Sequence, residues 1–260
     1  MSARARGCGA RSDGSAFRAP RSALDRLVFV TGTDTGVGKT VVAALLTRHL
    51  RQAGVRVAAL KPVCSGGRRD ARVLRAALGG ALKLDEINPW HFRAALAPLL
   101  AARSQGKRVR VAQVAAHVRR LRQRFEVVVV EGAGGLLSPL GEGFSSRELL
   151  TTLRATPLVI CPNRLGAINQ VLLVLAALPR ALARQAVVVL TAPRHADAVS
   201  RSNLELLAEH LPAGRVVELP WWPPAARPES ALTPPGVRRA LNALARALWP
   251  AVSLLPDGRR

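Results

Sequence analysis

The segment Gly32-Thr33-Asp34-Thr35-Gly36-Val37-Gly38-Lys39-Thr40 constrains this chain more than any other. It follows a β-branched and aromatic run, Leu27-Val28-Phe29-Val30, and leads into Thr40 to Ala53, which is apolar at helical spacing and closed by Gly54. Strand, glycine loop and helix in that order are the context a phosphate-binding loop requires, because the free N–H groups of the loop and the helix start then face one anion. The wording departs from the strict motif at one place: the usual first glycine falls at Thr33, with Gly32 one residue earlier. Lys39 is expected to reach the β- and γ-phosphates of a nucleoside triphosphate, and Thr40 to bind its Mg²⁺.

The rest of the chain repeats strand and helix. Val55 to Val63 reads as a second strand. Asp70 precedes a short helical stretch, Ala71 to Leu78, and could cap it. Val111 to Arg124 reads as a basic amphipathic helix, and Phe125 to Val130 as a strand buried on both faces. Pro157 to Cys161 and Ala186 to Leu190 are two more strands, with a helix from Ala167 to about Leu178 between them. A helix over Ala198 to Leu211, a strand over Arg215 to Leu219, a Trp221-Trp222-Pro223-Pro224 loop and a helix near Val237 to Leu248 complete the pattern. The expectation is an α/β fold: a single-domain, doubly wound, mostly parallel sheet with helices on both faces, of P-loop NTPase type. Ligands in such folds sit beyond the carboxyl ends of the strands. The domain is expected over 27–250, with a disordered extension over 1–26 and a short tail over 251–260. The extension is Arg- and Ser-rich, as transit peptides are, and has no apolar core for a secretory signal.

Charge invites a different reading. Against 16 acidic residues stand 39 basic ones, a net charge of +23, which raises the question of nucleic acid. Only four cations are lysine, however: Lys39, Lys61, Lys83 and Lys107. An arginine excess spread over an alanine-rich chain without tyrosine has the look of a GC-rich coding background, and no nucleic-acid partner is expected. A lysine kept against that bias stands out where a compact amine, rather than a planar fork, is needed. No run approaches the roughly 20 apolar residues that cross a bilayer; Ile168 to Leu178 comes nearest and is broken by Asn169 and Gln170. Cys8, Cys64 and Cys161 form neither a disulfide framework nor a zinc pattern. A cytoplasmic protein is expected.

Two further segments carry chemistry. Lys61-Pro62-Val63-Cys64-Ser65-Gly66 closes the second strand, which puts a lysine where a γ-phosphate or an anionic substrate would lie. Cys64 reads as a plain loop or core thiol. Glu131-Gly132-Ala133-Gly134-Gly135 follows the Val127–Val130 run, where P-loop proteins keep a carboxylate for Mg²⁺. Asp70 is a candidate second acid.

Taken together, the chain resembles the dethiobiotin synthetase family from about Leu27 to Trp222. The resemblance rests on residues 32–40, 61–66 and 131–135, on Leu-Gly-Ala-Ile-Asn at 165–169 and on Leu-Pro-Trp at 219–221. It implies an ATP- and Mg²⁺-dependent ligase acting on 7,8-diaminononanoate and CO₂. By this likeness Lys61 is the catalytic lysine, acting with Lys39, and Thr35 and Ser65 hold the carbamate. Thr40, Asp70 and Glu131 are the Mg²⁺ ligands. Gly36, Val37, Gly38, Lys39, Thr40 and Val41, with Glu131, Gly132, Ala133 and Gly134, surround the phosphates. Thr191, Ala192, Pro220, Trp221 and Trp222 flank the base, and Gly166 and Asn169 seat the substrate of a partner subunit in a homodimer. The chain departs from the family at three places. Thr191-Ala192 stands for an adenine-reading Asn-Asp, which opens the choice of nucleoside triphosphate; Gln170 and Leu99 stand where members have His. The alternatives are a partition-type ATPase, to which the basic stretch 103–124 would suit DNA or membrane, and a cobalamin-type synthetase. The latter usually adds a glutaminase domain with a cysteine nucleophile, and no cysteine follows Cys161.

Overall fold

The structure is a computed structural model and describes residues 26–223, 227 and 233–250. Along the chain the strands are β1 (Arg26–Gly32), β2 (Val57–Leu60), β3 (Val63–Ser65), β4 (Trp90–Phe92), β5 (Val127–Glu131), β6 (Pro139–Gly141), β7 (Phe144–Ser145), β8 (Thr156–Pro162), β9 (Val187–Thr191) and β10 (Val216–Leu219). The helices are α1 (Lys39–Gln52), α2 (Arg69–Ala77), α3 (Leu84–Ile87), α4 (Pro98–Arg103), α5 (Val111–Arg122), α6 (Ser146–Leu153), α7 (Ala167–Ala177), α8 (Arg180–Ala183), α9 (Ala198–His210) and α10 (Pro235–Leu248). The main sheet has the order β10-β9-β8-β1-β5-β2, and all of its pairs are parallel. The N-terminal extension, apart from Arg26, and the tail over 251–260 lie outside the described residues.

Every residue of β1 and of β5 is buried, as expected of strands covered on both faces. Successive side chains of β8 divide between the two sides. Leu158 and Ile160 join the main core, while Val159 and Cys161 join a smaller cluster with Ala167 and Val171 of α7 and Leu207 of α9. The doubly wound sheet is therefore as the sequence pattern predicts.

Register places the chemistry. Leu60 lies beside Val130, so Lys61 and Glu131, one residue further on, emerge abreast at the carboxyl edge. Val30 lies beside Glu131 on the other side, which puts the loop after β1 next to the same carboxylate.

Several local expectations change. The single strand expected over Val55 to Val63 is two: Pro62 has no N–H to give a ladder, and the chain leaves the sheet there to pair β3 with β4 instead. Asp70 does not cap α2; Arg68 holds that position, and Asp70 sits in the first turn, facing Lys61. Helix α6 had a readable start, since Ser145 and Glu148 form a capping box.

Beneath the carboxyl ends of β8, β9 and β10 lies a buried polar knot. Asn163 Nδ2 donates to the Ser200 carbonyl and to Glu218 Oε1, each at 2.8 Å, and Asn163 Oδ1 accepts from Asn203 Nδ2 at 2.9 Å. The Asn163 backbone N–H donates to the Thr191 carbonyl at 2.9 Å. One side chain thus ties β8, α9 and β10 together. Asn163→Ala takes a partner from two buried groups, the Ser200 carbonyl and the Asn203 amide, and is expected to cost about 1–3 kcal/mol in urea unfolding at unchanged slope. A loss under about 0.5 kcal/mol would mean that water replaces the amide at no cost.

Candidate active site

The loop after β1 ends at Gly38, in the left-handed region at φ 98°, from which α1 starts without a side-chain cap. Its first N–H groups are therefore left for a ligand. Lys39 is buried and folds back over its own loop, donating from Nζ to the Asp34 carbonyl at 2.6 Å. The Thr35 N–H donates to Asp34 Oδ1 at 2.6 Å, which closes the loop's tip. Burial, with Lys61 adding repulsion, lowers the Lys39 pKa from 10.5 to about 8.

Lys61 is only 4% exposed and stands between two acids. Its Nζ lies 2.6 Å from Glu131 Oε1 and 2.8 Å from Asp70 Oδ2. Thr40 Oγ1 donates to the same Glu131 oxygen at 2.7 Å. Burial alone would lower the Lys61 pKa, but Glu131 and Asp70 outweigh it and keep the ammonium charged well above its ordinary range. Burial likewise works against the Asp70 carboxylate, and Lys61 overcomes it, so that pKa falls. Glu131, 1% exposed, is pushed up by burial and by Asp70 against the pull of Lys61. Its Oε2 is buried without a hydrogen-bond partner among the described residues.

These groups form the floor of a cleft of about 780 Å³. Thr35, Gly36, Gly38, Lys39, Thr40, Val41, Lys61, Ser65, Asp70, Glu131, Ala133 and Gly134 all line it, so most sequence-derived site residues meet in one place. Gly134 is needed as glycine: φ is 69°, and a Cβ there would strike Ser138. Val37 and Gly132 lie behind the lining; Val37 is buried, and Gly132 packs against Phe29.

The other expected residues lie apart from the cleft. Thr191 stands beside the loop, its γ-methyl 3.6 Å from where a Gly38 Cβ would be. The Ala192 N–H is taken by the Leu219 carbonyl at 2.9 Å. Pro220 follows directly; Trp221 is exposed under the Arg194 guanidinium, and Trp222 packs on the core. Gly166 and Asn169 sit at the start of α7, away from the cleft.

The sequence reading missed Arg69 and the stretch Ala95 to Pro98, which also line the cleft. The Ser65 hydroxyl donates to the Leu96 carbonyl at 2.5 Å and ties that stretch over the site. Ala97 and Pro98 of the Ala97-Pro98-Leu99 departure lie in the cleft wall, but the departure by itself did not mark them as site residues. Cys64 also lines the cleft; it is buried, burial raises its pKa, and its thiol donates to Asn88 Oδ1 and to the Gly67 carbonyl.

The donor set fits Mg²⁺. A hydroxyl and two carboxylates are hard oxygen ligands, and Glu131 Oε2 is a buried oxygen without a partner. Among the described residues no group of three or more His, Cys, Asp and Glu could hold a metal alone. That suits an ion which takes few protein ligands and completes its shell with phosphate oxygens and water.

Fold and site define a P-loop NTPase. The family model that matches residues 26–229 is described as an AAA domain. The chain is 41% identical over 215 residues to the ATP-dependent dethiobiotin synthetase BioD of Anaeromyxobacter dehalogenans, covering 80% of this chain and 95% of that one. It is 42% identical over 153 residues to the enzyme of the same name from Akkermansia muciniphila, covering 59% and 72%. The chain belongs to the dethiobiotin synthetase family, whose members are ligases. Solved structures of a MinC:MinD complex from Aquifex aeolicus and a ParA-family ATPase from Chlorobium tepidum match at TM-scores of 0.55 and 0.53. They are 17% and 14% identical to this chain, cover 90% and 85% of it, and are each 99% covered. These likenesses show the shared fold alone. The shared architecture does not speak for the partition-type alternative, and the sequence relatives decide against it.

The lowered Lys39 pKa predicts a proton count. Near and above pH 8 the empty site holds a partly neutral amine, and a triphosphate will recharge it; at pH 6.5 it is already charged. Calorimetry in buffers of different ionisation enthalpy should show proton uptake on nucleotide binding at pH 8.5 and much less at pH 6.5. Equal uptake at both would exclude Lys39 as the titrating group.

Proposed function

We propose that this chain closes the ureido ring of dethiobiotin from 7,8-diaminononanoate, CO₂ and a nucleoside triphosphate, with Mg²⁺ as cofactor. The observation that supports this most is Lys61, held by Glu131 and Asp70 on the cleft floor beside the phosphate loop. One substrate amine adds to CO₂ and loses a proton to give a carbamate. A carbamate oxygen attacks the γ-phosphate and the nucleoside diphosphate leaves. The second amine then attacks the carbon of the mixed anhydride, phosphate departs and the ring closes.

The protein's part is to position two anions and neutralise them. Thr35 and Ser65 bind the carbamate end, and Lys61 sits between carbamate and γ-phosphate. Lys39 and the α1 N-terminus take the phosphates, with Gly36 to Val41 and Glu131 to Gly134 around them. Thr40, Asp70 and Glu131 would hold Mg²⁺, which supplies charge neutralisation on the triphosphate. Pro220, Trp221 and Trp222 flank the base with Thr191 and Ala192. Because Thr191 stands for an amide and the Ala192 N–H is occupied, the base meets few free hydrogen-bonding groups, and nucleotide choice is loose.

A homodimer completes the site. Helix α7 is almost wholly apolar yet buries only Ala167 and Val171; Leu165 before it and Leu173 on it are 83% and 62% exposed. A second copy seated there brings Gly166 and Asn169 to the neighbouring cleft. Among the described residues no helix is long and apolar enough to cross a membrane. Among the described residues Cys64 and Cys161 are buried free thiols, which fits a reducing cytoplasm.

Purified protein with diaminononanoate, bicarbonate, Mg²⁺ and a nucleoside triphosphate should yield dethiobiotin; no product with any triphosphate would refute the reading. GTP and CTP should support turnover beside ATP, and an ATP-only profile would mean that backbone groups near Pro220 read the base. Lys61→Arg should keep nucleotide affinity but lose on the order of 100-fold in ring closure, since the wider guanidinium displaces a reacting group. Near-parental turnover of Lys61→Arg would reduce Lys61 to a general phosphate contact.

A further inference from the structure

We infer that the Lys61 ammonium stands in for the divalent cation in the empty enzyme, so that metal–nucleotide entry and release of Lys61 into the cleft are a single event. The inference rests on the Mg²⁺ ligand set proposed above. Two side chains of that set, Glu131 and Asp70, hold the one ammonium, and the third, Thr40, joins them through Glu131. Glu131 Oε1 accepts from Lys61 at 2.6 Å and from Thr40 at 2.7 Å, while Asp70 Oδ2 lies 2.8 Å from the same Nζ. Glu131 Oε2 remains buried and unpartnered among the described residues, a coordination position that the ammonium does not fill.

The electrostatics explain the arrangement. Two carboxylates facing one buried point are unstable as anions unless a cation lies between them. Lys61 supplies one charge and keeps the ligands gathered while the cleft is empty. A divalent ion supplies two, but it needs the oxygens that Lys61 occupies, and the two cations repel at such range. The ion therefore enters where the displaced ammonium has an anion to go to. The triphosphate is that anion: Lys61, Lys39 and the loop line the same cleft, and a lysine stem is flexible enough to swing. The consequence is ordered delivery. Lys61 reaches the reacting oxygens only once metal and nucleotide are both in place, and bare metal binds weakly.

Two measurements test this. The first is Mn²⁺ binding without nucleotide, read by electron paramagnetic resonance, on the parent, Lys61→Met and Lys61→Arg. Removing the competing cation should tighten Mn²⁺ by at least about tenfold in Lys61→Met, and Mg²⁺ should raise the melting temperature of that variant but not of the parent. Lys61→Arg, still cationic, should bind Mn²⁺ as weakly as the parent. Equal or weaker Mn²⁺ binding by Lys61→Met overturns the inference. The second uses the unmodified chain and so survives a variant that fails to fold. With four lysines, ¹³Cε labelling gives a readable set of signals. The Lys61 signal should move with Mg²⁺ and a non-hydrolysable ATP analogue together, and stay in place with the analogue plus EDTA or with Mg²⁺ alone. A shift unaffected by EDTA, or one produced by bare Mg²⁺, contradicts it. Ring closure is assayed separately: an active enzyme that shows neither effect rejects this device alone, and a metal-responsive Lys61 in a chain without ring closure rejects only the assigned reaction.

Discussion

The contact between Lys61 and Glu131 organises this molecule. Two strands in register deliver the pair to the carboxyl edge of the sheet, and burial makes each depend on the other. A buried ion pair is poor evidence of net stability, because desolvation offsets much of the attraction. Removing one partner is another matter, since it strands a charge at a cost of about 3–5 kcal/mol. The sheet thus holds its chemistry in a state of mutual requirement. Asp70 from α2 and Thr40 from α1 join the pair, so the first two helices are tied to the site as well as to the core.

The surroundings of that pair are arranged so that cations are held ready without being consumed. Lys39 is satisfied by a backbone carbonyl of its own loop, a neutral partner it can exchange for a phosphate. Lys61 is satisfied by carboxylates that have a second use. The Asn163 knot keeps the far side of the sheet rigid: it fixes β10 and α9 relative to β8, the strand from which the α7 loop starts. What is rigid in this structure lies under the strand ends, and what can be exchanged lies above them.

Much of this was legible in the sequence, for identifiable reasons. The phosphate loop, Lys61 and Glu131 each follow directly from a strand, and strand ends in a parallel sheet are where ligands sit, so local pattern was enough. Asp70 suited both a metal ligand and a cap by residue type; the cap position falls to Arg68, and the approach of Lys61 that brings Asp70 to the cleft is non-local. The break at Pro62 was visible as a residue, but the pairing of β3 with β4 depends on a segment 27 residues away (Val63 beside Trp90), which no local rule supplies. Arg69 and Ala95 to Pro98 carry no motif. They reach the cleft through the fold: Arg69 opens α2 next to Asp70, and the Ser65 hydroxyl holds the Leu96 carbonyl. The large positive charge pointed to no element of the cleft, whose lining holds two of the four lysines.

In the proposed reaction a carbamate oxygen is phosphorylated on the way to the ring. Turnover with CO₂ or bicarbonate labelled with ¹⁸O, followed by mass analysis of the phosphate released, tests it most directly. Breaking the mixed anhydride at its carbon–oxygen bond leaves the attacking oxygen on phosphorus. Each phosphate should then carry one labelled oxygen and each ureido carbonyl another, before exchange with water. Unlabelled phosphate released in step with product would show that water, not carbamate, attacks the triphosphate, and would contradict the mechanism.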